Sequence, residues 1–172
     1  MSKVLITILL VLTIVFVFIS MSNSQNMRVV YTKNYDKKVI PIVPGKFQDS
    51  DCGMVIDDIS YASQVIADDG KTWFFHDHGG MVHWLQNKSF KDDATIFVMT
   101  KDSLKWIDGR KAWYSRTDIT PMFYGFGAYE KRKEDLIDFQ TMVLLMNRGE
   151  TMANPKVKKM LLKQFGKKNG ND

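Results

Sequence analysis

A short motif holds the cysteine and methionine best suited to chemistry in this sequence. Cys52, Gly53 and Met54 follow one another, and the chain has no other cysteine. Gly53 lets the backbone turn so that the two sulfur side chains point to one spot. A thiolate and a thioether form a soft ligand set, which selects Cu(I) over Mg²⁺, Ca²⁺ or Mn²⁺. The spacing alone leaves open that both side chains are simply buried at the start of the core.

The three histidines form a second group of candidate ligands. His76, His78 and His83 lie within eight residues of sequence, beside Met81. Imidazole suits copper, zinc and nickel, so these four residues are candidates for an accessory metal site. The alternative is a set of surface imidazoles at the start of a helix. We expect His76 or His78 to lie near Cys52, because the sequence lacks four ligands at the spacing of a structural zinc site.

Strand and hairpin patterns surround these residues. The D-D-G turn at 68–70 predicts a hairpin of strands 61–67 and 71–75, and a helix is predicted over 81–86 after the residues 77–80 that open it. Residues 95–100 predict a third, apolar and central strand. A second hairpin is predicted around the D-G pair at 108–109. These β-turn-β-α-β units predict an α+β class with a mostly antiparallel sheet.

The remaining segments define the domain organisation. An aromatic, glycine-rich loop at 121–129 leads into a further strand, and helices are predicted over 134–148 and 154–165, the last with Asn154 as N-cap and Pro155 at N1. We predict four regions: an N-terminal transmembrane anchor or uncleaved signal at 1–20, a linker at 21–50, a metal-binding domain at 51–130 and a helical C-terminal extension at 131–172.

The N-terminal segment predicts contact with a membrane. Residues 4–19 carry no charge and follow Lys3, which is the layout of a signal or anchor. The run is slightly short for a full span of about 20 residues. Cleavage after Ser22 or Ser24 is the alternative to an uncleaved anchor. The basic residues after the segment favour a cytoplasmic body by the positive-inside rule, whereas the signal-like layout favours the opposite side.

The charge of the chain is concentrated at its C-terminal end. The net charge is +5, and residues 156–172 hold six lysines against one acidic residue. Such a tail predicts contact with an acidic partner or with anionic lipid, and its alternative is an ordinary solvated helix face. Nucleic-acid binding is not expected, because no basic motif interleaved with aromatic residues is present.

Four motifs lie in order along residues 52–129: C-G-M-V-I at 52–56, Y-A-S-Q-V at 61–65, W-F-F-H-D at 73–77 and T-P-M at 120–122. Together they resemble the NosL family, the copper(I) chaperones associated with assembly of nitrous oxide reductase. The resemblance implies a Cu(I) site of Cys52 and Met54, with Met122 as a further ligand, and a periplasmic location. Family members are commonly lipoproteins, whereas this chain has an apolar segment in place of a lipidated cysteine.

Together these features predict a membrane-tethered Cu(I) chaperone. It would deliver copper by ligand exchange to nitrous oxide reductase or another periplasmic cuproenzyme, and it would have no catalytic residues. The alternative is a non-catalytic assembly or docking subunit of a membrane complex, with the basic tail as its working surface. An enzyme with Cys52 as nucleophile is a third hypothesis, but no residue that would orient its base is evident.

Overall fold

A five-stranded antiparallel sheet forms the centre of the folded chain, which a computed structural model describes over residues 3–23 and 27–168. The strand order is β1-β3-β2-β4-β5. The predicted α+β class with a mostly antiparallel sheet is therefore confirmed. The strands of this sheet are β1 (Val30–Tyr31), β2 (Ser63–Ile66), β3 (Thr72–Phe75), β4 (Thr95–Met99) and β5 (Trp106–Asp108).

The first predicted hairpin is confirmed. β2 and β3 pair from Ser63 with Phe75 to Ile66 with Thr72. Gly70 closes the turn with a φ of +76°, a conformation that glycine adopts without a steric cost. All four residues of β2 are buried, because this inner strand is covered by packed side chains on both faces of the sheet. The predicted apolar strand at 95–100 corresponds to β4, an inner strand next to β2.

The second predicted hairpin, around residues 108–109, is wrong. β5 pairs with β4, whereas β6 (Trp113–Tyr114) pairs with β7 (Ala128–Tyr129) in a separate two-stranded sheet. The Gly109 amide donates to the Ile96 carbonyl, and a Cβ on Gly109 would lie 2.7 Å from the Ile96 side chain. This close approach holds β5 on β4, so the chain leaves the sheet before β6 begins.

Four helices occur in the described part of the chain: α1 (Lys3–Asn23), α2 (His78–Leu85), α3 (Phe139–Asn147) and α4 (Pro155–Lys168). The predicted helix start at residue 134 is wrong. Ile137 forms a β-bridge with Tyr114, and Asp138 then caps α3 by accepting the Thr141 amide. The predicted cap of α4 is confirmed, since the Asn154 side chain accepts the Lys156 amide.

Apolar side chains pack on both faces of the sheet. On one face, residues of α2 and α3 such as Val82 and Met142 join Val98 and Tyr114 in the larger core. On the other face, Phe47 and Ile42 pack with Ile56, Ala62 and Phe74. Residues 27–50, predicted as a linker, therefore belong to the folded domain, and so does α3 from the predicted C-terminal extension.

The predicted apolar segment forms α1, and its large apolar side chains from residue 4 to residue 19 are exposed. Among the residues that the structure describes, no helix is both long enough and apolar enough to cross a membrane. The predicted transmembrane helix within residues 1–20 is accordingly not supported.

Candidate metal centre

The Asp49 carboxylate organises the turn that carries the cysteine. One of its oxygens accepts the backbone N–H groups of Asp51 at 2.7 Å and Cys52 at 3.1 Å. The Asp49 backbone also bonds Gly53 and Met54. Gly53 has a φ of +76°, which confirms that the turn depends on a glycine at this position. The C-G-M turn is therefore held in one shape by hydrogen bonds.

His76 reaches the same place from the end of β3. Its backbone N–H donates to the second Asp49 oxygen at 2.8 Å, and its ring Nδ1 lies 2.5 Å from that oxygen. The same Nδ1 lies 3.9 Å from the Cys52 Sγ. The ligand atoms of Asp49, Cys52 and His76 all lie within 4.8 Å of one another, which makes these residues a candidate metal-binding triad. The predicted proximity of a histidine to Cys52 is confirmed for His76.

The charges of the triad follow from its contacts. Burial opposes the ionisation of Asp49, but the hydrogen bonds from His76 and from two backbone amides outweigh it and lower the pKa of that carboxyl. Burial likewise opposes the charging of His76, but the bond to Asp49 and the negative charges of Asp49, Asp77 and Asp51 together outweigh it, so the pKa of His76 is raised. Partial burial raises the pKa of the Cys52 thiol, and the Asp49 charge adds to the effect. A bound cation would offset that charge and favour the thiolate.

Access to the triad is one-sided. The side chains of Asp49 and His76 are 1% and 6% exposed, whereas Cys52 is exposed. The thiol is therefore the group that an incoming metal ion or partner ligand meets first. His76 Nε2 is buried and has no hydrogen-bond partner among the described residues.

The loop that contains Met122 is tied to the start of α2. Asp77 caps this helix by accepting the Gly79 amide at 2.8 Å, and its other oxygen accepts the Met122 amide at 2.8 Å. Burial raises the pKa of Asp77, although these bonds oppose it. Since Asp77 follows His76 directly, the T-P-M loop is anchored beside the triad. Met54 is 53% exposed and Met122 is half-buried, so both methionines lie on accessible turns around the site.

The other predicted accessory ligands lie in different surroundings. His78 is fully buried, with its ring edge-on to Tyr61 and Tyr114, and its two ring nitrogens form no hydrogen bond of normal geometry with any residue that the structure describes. Met81 is fully buried in the larger core. His83 is exposed and pairs with the Asp51 carboxylate at 2.8 Å. The structure therefore brings one of the three histidines into the triad.

Sequence reasoning missed Asp49, Asp51 and Tyr124. Asp49 was placed in the predicted linker, although an aspartate two or three residues before a turn commonly accepts its amides. Tyr124 packs so closely on α2 that a Cβ on Gly79 would lie 2.6 Å from it. Burial raises the pKa of Tyr124, and the negative charges of Asp51 and Asp77 add to the effect.

Comparisons of the chain with family models, with curated proteins and with solved structures find no match. The NosL resemblance therefore rests on the four sequence motifs, and it stays a prediction. The geometry adds an independent fact. Three of the four motifs meet at one place, because Cys52 contacts His76 and Asp77 bonds Met122.

Proposed function

We propose that this chain is a Cu(I)-binding protein of the NosL type, which receives copper at Cys52 and passes it to a cuproenzyme such as nitrous oxide reductase. The observation that carries the proposal is the convergence of Cys52, His76 and Asp49 at an exposed turn. Thiolate and imidazole are both ligands of copper. We propose that the thioethers of Met54 and Met122, on the turns at 52–54 and 120–122, join Cys52 as soft ligands.

The geometry of the histidine supports metal binding over nucleophilic catalysis. In a cysteine–histidine–aspartate triad the base contacts the nucleophile through one ring nitrogen and the carboxylate through the other. Here Cys52 and Asp49 both approach Nδ1 of His76, which suits three ligands around one ion. The raised pKa of the Cys52 thiol also opposes its use as a nucleophile, which needs the thiolate.

The exposure of the site supports transfer rather than permanent storage. Ligand exchange requires that an incoming ligand reach the metal before the old ligands leave. Cys52 and Met54 are exposed, and Asp49 and His76 form a rigid buried base beneath them. We propose that transfer takes place at the cell envelope, where the apolar surface of α1 contacts the membrane.

Titration of the full chain with Cu(I), against a chelator of known affinity, tests the assignment. We expect one equivalent of Cu(I) to bind, no measurable binding in Cys52→Ala, and affinity lowered about tenfold or more in Met54→Ala and Met122→Ala, since each removes a ligand. Met160→Ala is the matched control, because Met160 is also 53% exposed but lies on α4. Unchanged affinity in Cys52→Ala would refute the copper assignment.

A second candidate function, docking in a membrane complex, is favoured by the basic surface of α4. Lys156, Lys159 and Lys163 are exposed at the spacing of one helix face, and Lys158 lies beside them. A polybasic helix gains about 1 kcal/mol per lysine near an anionic membrane. Removal of residues 131–172 is not a clean test, because it deletes α3 from the core.

Variants in which glutamine replaces charged lysines separate the two functions. We expect glutamine at positions 156, 158, 159 and 163 to weaken binding to vesicles of phosphatidylcholine with phosphatidylglycerol, and to leave the Cu(I) affinity unchanged. Glutamine at Lys105, Lys111, Lys131 and Lys133 makes the same change of net charge elsewhere on the surface. Equal vesicle binding by both quadruple variants would rule out α4 as the docking surface.

A further inference from the structure

The contact between Asp49 and His76 bears on which metals the triad accepts. Two ligand atoms on one tetrahedral ion, each about 2.0–2.1 Å from it, lie roughly 3.3 Å apart. The 2.5 Å separation of the Asp49 oxygen and His76 Nδ1 is instead that of a direct hydrogen bond. A metal at Nδ1 must therefore replace the ring proton, and Asp49 then either becomes a ligand itself or stays beside the ion without coordinating it.

The chemistry of the oxygen decides between these outcomes. A carboxylate is a hard ligand, and together with thiolate and imidazole it matches the sites of Zn²⁺, which bind cysteine, histidine and aspartate. Two anionic ligands, Asp49 and the Cys52 thiolate, also balance the charge of a divalent ion. Cu(I) carries one charge and prefers sulfur, so it gains little from the oxygen.

We propose that Asp49 determines the metal selectivity of the site, as a direct ligand of a divalent cation of the Zn²⁺ class and as no ligand of Cu(I). The divalent site consists of Asp49, Cys52 and His76, with a fourth position open to solvent at the exposed cysteine. Binding of the cation releases the thiol proton of Cys52 to solvent; a protonated His76 ring also releases its Nδ1 proton and keeps the proton on Nε2, whereas a neutral ring keeps its one proton, which moves to Nε2. The inference rests on the proposed function only for its copper half, since the two sites share Cys52.

Burial supports direct ligation. Asp49 is almost fully enclosed and receives three backbone N–H groups, so its carboxylate cannot swing away to water. It stays within reach of any ion held between Cys52 and His76. The neighbouring Asp51 offers a contrast, because its carboxylate pairs with the exposed His83 and is not part of the triad.

Asp49→Asn in the full chain tests the inference. Asparagine keeps an oxygen that accepts the turn amides, but it removes the charge and the strong ligand. Co²⁺ is the probe, followed by its visible absorption and by the thiolate-to-cobalt charge-transfer band, and Zn²⁺ is measured by its displacement of Co²⁺. We expect Co²⁺ and Zn²⁺ affinities to fall about 10- to 100-fold and the Cu(I) affinity to change less than about threefold. Asp69→Asn, the control, removes the same charge from the exposed β2–β3 turn, where Asp69 pairs with Lys71, and should change none of them.

Each outcome decides the inference. Equal losses of affinity for Cu(I) and for the divalent ions would show that Asp49 acts only by holding the turn. No loss of affinity for either would show that Asp49 is not a ligand. Both results overturn the inference. Should Asp49→Asn fail to fold, Asp49→Glu must retain the tetrahedral cobalt spectrum, and loss of that spectrum in a folded Asp49→Glu overturns it. Absence of Co²⁺ and Zn²⁺ binding by the natural chain overturns the inference and leaves the copper function standing. Binding of divalent ions without binding of Cu(I) would overturn the copper function and leave the inference standing.

Discussion

His76 and His78 are two residues apart but lie in opposite environments. His76 ends the strand side of the β3–α2 junction and bonds the Asp49 carboxylate next to the exposed cysteine. His78 begins α2 and lies in the apolar core against two tyrosine rings. The first imidazole has an acidic neighbour that stabilises its charge. The second has the Met99 backbone near its ring but no carboxylate that would do so.

This contrast shows how a histidine acquires its role. The pKa of His76 is raised because the hydrogen bond to Asp49 and the nearby carboxylate charges together outweigh burial, whereas burial lowers the pKa of His78 to about 3. Asp77 lies between them in sequence and has a different role: one of its oxygens caps α2 and the other holds the Met122 loop. Three adjacent polar residues thus belong to the candidate metal triad, the loop anchor and the core.

The largest expected difference between substitutions at His76 and at His78 is in metal affinity. His76→Asn places an amide nitrogen near the position of Nδ1, so it keeps the donor to Asp49 but removes the imidazole. We expect this variant to lower the affinity for Co²⁺ on the order of 10- to 100-fold. His78→Leu fills the same core volume and should leave the affinity within about twofold. Titration of both variants with Co²⁺ measures the difference.

The opposite result is informative as well. If His78→Leu removed Co²⁺ binding while the variant kept its cooperative unfolding, the buried imidazole would be a ligand and the triad would not be the site. If His76→Asn bound Co²⁺ as tightly as the natural chain, Asp49 and Cys52 would suffice for binding.

The fold was predictable where patterns are local. The D-D-G turn, the strand pattern on both sides of it and the apolar run of β4 all determine structure through nearest neighbours, and each is confirmed. The second hairpin failed because Gly109 packs on Ile96, a contact between distant residues. The start of α3 failed because Ile137 is engaged by Tyr114. Tertiary contacts override local preference in both cases.

The site was predictable only in part for the same reason. Cys52 and His76 are of metal-binding types, so their residue identity suggested them. Asp49 was assigned to the linker, since β1 and Phe47 show their place in the fold only through pairing and packing with β3. The different environments of His76 and His78 depend on where β3 ends and α2 begins. A shift of that boundary by one residue would move the side chains to opposite faces.

The two histidines also differ, by a smaller amount, in how they make the free energy of unfolding depend on pH. His78 stays neutral in the folded chain down to about pH 3, whereas in the unfolded chain it takes up a proton near its ordinary pKa of 6.5. The unfolded state therefore binds more protons between these values, and the free energy of unfolding falls as the pH falls. The slope contributed by this one group approaches about 1.4 kcal/mol per pH unit.

His76 acts in the opposite direction. Its folded pKa is raised, so its contribution to stability is complete below pH 6.5 and is lost as the pH rises through the folded pKa. Urea unfolding of the metal-free chain at about pH 5 and at pH 6.5 isolates His78. The free energy of unfolding of His78→Leu, taken relative to that of the natural chain, should increase by about 1.5 kcal/mol from pH 6.5 to pH 5. His76→Asn should show no such gain, because the pair with Asp49 is intact throughout that range; an equal gain in both variants would mean that the two imidazoles share one environment.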